Sequence, residues 1–387
     1  MKSAAMQLLR LRRFILLLSA HVILGPGIVY AQVQSVEVLF YNVENLFDTI
    51  DDPKTDDAEF LPEGKYKWSP ERYLTKLDQL GRVISGDGKV PLPALVGLAE
   101  IENCRVLKDL TNTDWLKSGR YGIVQYDSPD ERGIDVALLY RADLFRVLYS
   151  RPLAVKPPWD LEFRSRDILY VQGLLGTDTL HLYISHWPSR RGGMEASEPF
   201  RLLAAGVLRS HIDSVSAHFT QFNAIVMGDL NDEPDNRSVK EVLNARIPGT
   251  PCPEGSHACL FNLSATFPAG EGSYYYWRDK KWNVLDHIIV TAPLLDTGSA
   301  LHMVPGSFGA VKEPWMLKEE NGMMIPLASF ARDYEGGFSD HLPMRVTLRT
   351  DSLNKLNSDV QILTGGLPDG IPSGKTTKRC LFRFRKK

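Results

Sequence analysis

Short apolar runs bounded by turn-forming residues recur along the chain, and several alternate with the two-residue period of a half-buried strand. In SVEVLFYN, Val36, Val38 and Phe40 alternate, which predicts a strand ending at Asn42. ALVGLAE (94–100) reads as a fully buried strand ending in Glu100. IDVALLY (134–140) and ILYVQGLL (168–175) predict two more, LHLYISHW one that ends at His186, and NAIVMGDLN one that ends at Asp229 and Asn231. Two further strands carry their polar residues at the other end. VLDHIIV (284–290) opens with Asp286, and PMRVTLR (343–349) follows Asp340 and His341.

Helical periodicity lies between these runs. SPERYLTKLDQLGRVI has Ser69 as cap and Pro70 at the first position. NCRVLKDLTN, DNRSVKEVLNA and the long SEPFRLLAAGVLRSHIDSVSAHF, capped by Ser197, complete the set. Strands and helices interspersed without strict alternation predict a mixed-sheet α/β or α+β fold. No repeat or linker interrupts the pattern before about residue 350, so residues 32–350 are expected to form one domain.

The two ends of the chain read differently. Residues 1–31 carry Lys2, Arg10, Arg12 and Arg13 and no acid, then a mostly apolar stretch from Phe14 to Ile28 and the small-residue pattern Val29-Tyr30-Ala31. That is the layout of a signal peptide, which would leave Gln32 as the mature start and send the protein to the periplasm or outside the cell. The alternative is an uncleaved membrane anchor, although His21, Gly25 and Pro26 interrupt a stretch already short of the ~20 residues a span needs. Residues 351–387 lose periodicity and hold eight basic against three acidic side chains. They read as a basic, solvated tail able to touch anionic polymers or surfaces. GIPSGKTT within it has the wrong glycine spacing for a phosphate-binding loop, and no strand precedes it.

With 43% hydrophobic, 10% aromatic and 24% charged residues, the composition excludes a disordered or collagen-like chain. The formal net charge of −2 conceals an acidic body, since residues 32–350 hold 33 basic and 44 acidic side chains. Such a body offers no broad basic face to nucleic acid, so a phosphate substrate would need a metal ion or a few placed arginines. Four cysteines are present. Cys252 and Cys259 share a polar loop and are expected to pair in an oxidising compartment, whereas zinc recruiting His257 lacks the paired ligands of a structural site. Cys104 reads as a packed thiol, and Cys380 suggests no role.

The polar residues at the strand ends carry the chemistry: Asn42, Glu44, Glu100, His186, Asp229, Asn231, Asp286, Asp340 and His341. Side chains at strand termini converge on one rim. Strand ends and strand starts share that rim only if the sheets are mixed. Carboxylates crowded there repel unless a cation neutralises them, and oxygen donors suit Mg²⁺, Mn²⁺ or Ca²⁺ better than zinc. Two histidines supply proton transfer near neutral pH. The residues point to metal-assisted attack on a phosphate ester.

In order, FYNVENLFD, LAEIEN, SHWPSRRGG, VMGDLNDEP, VLDHIIV and FSDHLP resemble the motifs of the endonuclease/exonuclease/phosphatase superfamily, over about residues 36–348. The resemblance implies a four-layer α/β/β/α sandwich of two mixed β-sheets. It implies Glu100 as the principal Mg²⁺ ligand, with Asn42 beside it and Asp340 completing the shell. Asp286 would orient His341 as the aspartate does in a Ser-His-Asp triad. Asp229 and Asn231 would sit against the scissile phosphate and His186 at the phosphate or the leaving oxygen, with either His341 or Asp229 as general base. Glu44 would join the metal shell or merely cap the turn after its strand. Asp135 would face substrate or pair with Arg132 or Arg141. Arg190 and Arg191 follow the His186 strand and are placed for phosphate; of Arg164 and Arg166, which solvent could equally claim, Arg166 is the better candidate. Tyr274 to Trp277 would stack bases or pack a rim. His181, His211, His218, His257 and His302 read as structural or surface residues.

The expected protein is thus an exported, monomeric, Mg²⁺-dependent phosphodiesterase, an endo- or exonuclease before other options. The alternatives are a lipid phosphodiesterase, an inositol or sugar phosphatase, and a non-catalytic binding module. GDLNDEP and NVLDHIIV lack the extensions of inositol phosphatases, and residues 304–317 supply the one candidate apolar loop for a bilayer. The intact set of Glu, Asp, Asn and His argues against a module without activity.

Overall fold

The computed structural model describes residues 34–253, 255–256, 258–350 and 379–382. Strand β1 (Gln34–Leu46) shows how its layers arise. Val36, Val38 and Phe40 enter one apolar core and Leu39, Tyr41 and Val43 another, because successive side chains of a strand face opposite ways. The first sheet runs in the order β14 (Leu301–Met303), β18 (Met344–Thr350), β1, β2 (Leu95–Ile101), β4 (Asp135–Arg141), β3 (Tyr121–Tyr126) and β19 (Arg379–Phe382). The second runs β5 (Phe145–Leu153), β6 (Ile168–Leu175), β7 (Asp178–His186), β8 (Ala224–Asp229), β13 (Asp286–Thr291), β10 (Leu260–Asn262) and β9 (Ala245–Arg246). Two small hairpins, β11 (Tyr274–Tyr276) with β12 (Lys281–Asn283) and β16 (Leu317–Glu320) with β17 (Met323–Pro326), stand outside the main sheets.

The inner faces of the two sheets share one core, in which Phe40, Leu138 and Val346 join Leu182, Met227 and Ile288. Over the outer face of the first sheet lie α1 (Pro70–Ile84) and α2 (Cys104–Thr111), burying Leu77, Leu80, Val106 and Leu107 with Tyr41 and Leu98. Over the second lies α3 (Met194–Ser216), burying Ala204, Leu208 and Ile212 with Tyr183 and Val226. The result is the expected four-layer sandwich.

Both sheets are mixed at their centres. β1 runs parallel to β2 and antiparallel to β18, while β8 runs parallel to β7 and antiparallel to β13. The register of the second sheet sets His186 opposite Asp229 and Asp229 opposite Asp286. Close approach of the strands there depends on Gly228, since a Cβ at that position would lie 2.3 Å from the Ser185 carbonyl oxygen.

Several local expectations change. Ser69 caps α1 as predicted, accepting from the Arg72 amide. α3 starts four residues early: the cap falls to Gly193, whose φ of 114° suits only glycine, and Ser197 lies inside the helix and donates back to the Gly193 carbonyl. DNRSVKEVLNA shrinks to one π-helical turn at Ser238–Val242. The apolar stretch 304–317 is tied down and does not project as a bilayer loop. Gly309–Ala310 pairs with β18, Met316 is buried, and Trp315 packs on Phe338 beneath the Arg82 guanidinium.

The tail expectation also needs correction. Residues 379–382 are not solvated coil but pair antiparallel with β3, and Cys380 forms a disulfide with Cys104, which is therefore not a free packed thiol. Without β19, the N–H and C=O groups along β3 would form an open sheet edge, which proteins commonly cover. Cys252 and Cys259 are bonded as expected. The signal peptide at 1–31, His257 and the GIPSGKTT stretch lie outside the described residues. Among the described residues, no helix is long and apolar enough to cross a membrane.

A disulfide closing a 276-residue separation constrains the unfolded chain strongly. Cys380→Ser should lower stability in urea denaturation by about 2–4 kcal/mol while leaving turnover per folded molecule unchanged. An unchanged denaturation midpoint would contradict the docking of β19.

Candidate active site

The site begins where β1 and β2 lose their regular register, between Asn42 and Leu46 and between Ala99 and Ile101. Glu44, Asn45 and Glu100 adopt left-handed backbone angles, with φ of 53°, 57° and 65°. Such angles are uncommon for non-glycine residues and cluster where a structure holds a functional group against its preference. Here the irregularity re-aims a side chain, as bulges at strand ends do. Glu100 reaches the cleft and its Oε2 accepts the Asn45 amide at 2.9 Å. Asn42 bridges the two sheets, with its Nδ2 3.1 Å from Asp229 Oδ2 and 3.5 Å from Glu100 Oε1. Its Oδ1 accepts the Glu44 amide, so Asn42 faces the two carboxylates as a donor.

Asp229 is the hub. Its Oδ1 accepts the amide of Asn231, which is also left-handed (φ 52°) and whose side chain donates to the Trp187 carbonyl. Its Oδ2 lies 3.6 Å from His186 Nε2 and 3.8 Å from His341 Nε2. His341 Nδ1 is 2.7 Å from Asp286 Oδ2, the orienting contact that the resemblance implied. Ser339 fastens this strand start to β1, donating to the Asn42 carbonyl and accepting the His341 amide. The Tyr274 ring covers His341 at 4.8 Å.

Burial and crowding set the charges. Burial alone would push the His341 imidazole down, but Asp286, Asp340 and Asp229 together hold it well above its ordinary value, so it is an imidazolium. Burial pushes the Asp229 carboxyl up to about 7, with His341 opposing and Asp286 adding to the rise. Burial, with the nearby Arg166 and Arg132, holds His186 well below its ordinary range and therefore neutral.

His186, Asp229, Asn231 and His341 line a cleft of about 920 Å³ together with Glu100, Asp340, Arg132, Arg164, Arg191 and the aromatic residues Tyr274, Tyr276 and Trp277. Four expectations change here. Arg166 reaches the cleft wall but spends its guanidinium on Asp130 (2.9 Å) and on the Trp187 and His186 carbonyls, bracing the end of β7. Arg190 likewise braces the turn after β8, through the Asn231 carbonyl and Asn236. Asp135 faces neither substrate nor arginine; it is buried and accepts from Gln125 and the Ser128 amide. Arg191 remains exposed at the cleft, with no side-chain partner among the described residues. Glu44 points away from the cleft to the Ser329 and Phe330 amides, being neither a member of the cleft wall nor a local cap. Sequence reasoning missed Arg132 as a cleft residue. Beside a local ion pair to Asp130, its long-range contact, 3.5 Å to Asn45, joins residues 87 positions apart.

The donors fit a hard divalent cation. Among the described residues, Glu100 and Asp340 present carboxylate oxygens at the cleft without a lysine or arginine ion pair, and oxygen donors of this kind suit such ions. Asp229, Asp286 and His341 form a second group, with ligand atoms all within 4.8 Å of one another. There, however, Asp286 and His341 already engage each other.

Two mixed sheets stacked face to face, with carboxylates and an aspartate–histidine pair on one rim, define a phosphoester hydrolase. The chain belongs to the Endonuclease/Exonuclease/phosphatase family, whose model matches residues 37–350. Members of this family hydrolyse phosphoesters and depend on a metal ion. No curated protein matches the chain. Among solved structures it is similar to an endonuclease/exonuclease/phosphatase family protein from Bacteroides thetaiotaomicron (TM-score 0.53, 15% identity, covering 82% of this chain and 98% of that one). It is also similar to a humanized D. rerio TDP2 (TM-score 0.50, 15% identity, 82% and 99%) and to a mannosyl-6-phosphatase from B. thetaiotaomicron (TM-score 0.50, 14% identity, 81% and 99%). At these identities the likeness is one of fold.

Asp286→Asn keeps the shape of a fully buried side chain but removes the charge that holds His341. It should lower kcat by on the order of 10²–10⁴-fold with little change in melting temperature. A variant that melted far earlier yet turned over normally per folded molecule would make Asp286 structural.

Proposed function

We propose that the chain is an exported, Mg²⁺-dependent phosphodiesterase that cleaves nucleic acid, acting as a monomer. The observation that carries this reading is the open cleft itself. Arginines at 132, 164 and 191 and an aromatic wall at 274–277 flank the catalytic rim and suit a phosphate backbone with its bases. Stretch 304–317 is packed down, which weakens the lipid alternative. The acidic body favours a second reading, a phosphatase acting on a small sugar phosphate.

In this reading Glu100 and Asp340 hold Mg²⁺, with Asn42 beside them as a donor to a phosphate oxygen. The ion, when bound, supplies Lewis-acid stabilisation of charge on the phosphate. Asp229 takes the proton of the attacking water as its oxygen bonds to phosphorus, and Asn231 sits against the phosphate with it. His341, held charged by Asp286, presents its Nε2 proton to the phosphoryl group and passes it to the leaving oxygen as the bond from that oxygen to phosphorus breaks. His186, neutral, orients the phosphate from the opposite side of Asp229. Arg191 contacts the adjoining phosphate, while Arg166 and Arg190 hold the loops that carry these groups.

Purified protein would be tested with Mg²⁺ or EDTA on plasmid DNA, RNA, sphingomyelin, bis(p-nitrophenyl) phosphate and a sugar phosphate. Metal-dependent cleavage of DNA or RNA is expected; turnover of the sugar phosphate alone would favour the second reading. Glu100→Gln should keep the fold yet lose several kcal/mol of transition-state stabilisation, on the order of 10²–10³-fold in turnover. Full activity in EDTA would contradict the metal role. Finding Gln32 at the N-terminus of protein recovered from outside the cytoplasm is the matching expectation for export.

A further inference from the structure

Lys76 and Glu44 are buried, and neither lines the cleft. A lysine is seldom fully buried unless its charge is compensated, and Lys76 on α1 has no exposed surface at all. Its ammonium donates to Ser329 Oγ at 2.5 Å and to the Phe338 carbonyl at 2.7 Å. Glu44 accepts the amides of Ser329 and Phe330 at 2.6 and 3.0 Å. Ser329 Oγ in turn donates to the Gly337 carbonyl. The Lys76 amino group and the Glu44 carboxyl therefore pin both ends of segment 329–338, immediately before Ser339, Asp340 and His341. The same ammonium acts electrostatically on Glu44, Asp340 and Glu100, so these carboxylates share one buried positive charge.

We propose that Lys76 is a positioning residue for the metal centre: together with Glu44, it fixes segment 329–338 and thereby the placement of Asp340 relative to Glu100. The inference rests on the reading that Glu100 and Asp340 hold the ion. Lys76 touches no reacting atom. Its effect passes through the backbone that presents Asp340. Groups that orient metal ligands from behind commonly govern metal affinity 10–100-fold.

The test is Mn²⁺ binding by isothermal titration calorimetry on wild type, Lys76→Met, Glu44→Gln and the double variant, with thermal melting alongside. Each single variant should bind Mn²⁺ about 10–100-fold more weakly, while substrate KM at saturating metal stays constant. Because the two residues act as a unit, the double variant should be no weaker than the weaker single one. Folded variants that bind Mn²⁺ like wild type, or losses that simply add, would overturn the inference. Should Lys76→Met fail to fold, Glu44→Gln and the double variant, which buries no unpaired ammonium, decide the matter by the same criterion. Wild type that binds no Mn²⁺ would overturn the metal site as well, whereas binding by wild type with unaffected variants overturns the role of Lys76 alone.

Discussion

Four carboxylates, those of Glu100, Asp229, Asp286 and Asp340, meet at one rim of a two-sheet sandwich with a fifth, that of Glu44, buried behind it, and much of the local structure answers their mutual repulsion. Each has its own compensation. Asp286 faces a charged His341, Asp229 receives the Asn42 side chain and the Asn231 amide, and Glu44 receives two amides beside the buried Lys76. Glu100 receives the Asn45 amide and a longer contact from the Asn42 side chain, and among the described residues Asp340 has only the distant His341 ring within ion-pair range, with Lys76 acting from farther off. Full compensation in the interior and partial compensation at the cleft locates the unmet negative charge where a divalent ion can reach it.

The sheets make this crowding possible. β7 and β8 end at the rim side by side while β13 begins there, which brings His186, Asp229 and Asp286 into one row without a loop having to span them. The first sheet delivers its residues less regularly, through left-handed angles at Glu44, Asn45 and Glu100. Of the order of 1–3 kcal/mol of strain per residue is tolerable there, because hydrogen bonds across 55 residues or more hold the kinks in place.

Much of this was legible in the sequence. Alternation along SVEVLFYN assigned side chains to the correct layers, and polar residues at strand ends marked the rim. The Asp286–His341 pair followed from the family resemblance. What remained hidden depends on long-range geometry. Arg166 and Arg191 look alike in sequence, yet carbonyls at the end of β7 consume one and leave the other at the cleft. Lys76 looks like any polar position of an amphipathic helix until the segment at 329–338 closes over it. β19 is a four-residue strand in a basic, aperiodic tail, and only pairing with β3 and Cys104 gives it structure.

The central claim is that the ion sits at Glu100 and Asp340 while Asp229, Asp286 and His341 stay free of metal to handle protons. Anomalous diffraction from crystals soaked in Mn²⁺ tests this directly. The account predicts a manganese peak bonded to Glu100 and Asp340, with the Asp286–His341 contact intact. A peak held instead by Asp229, Asp286 and His341 would contradict it.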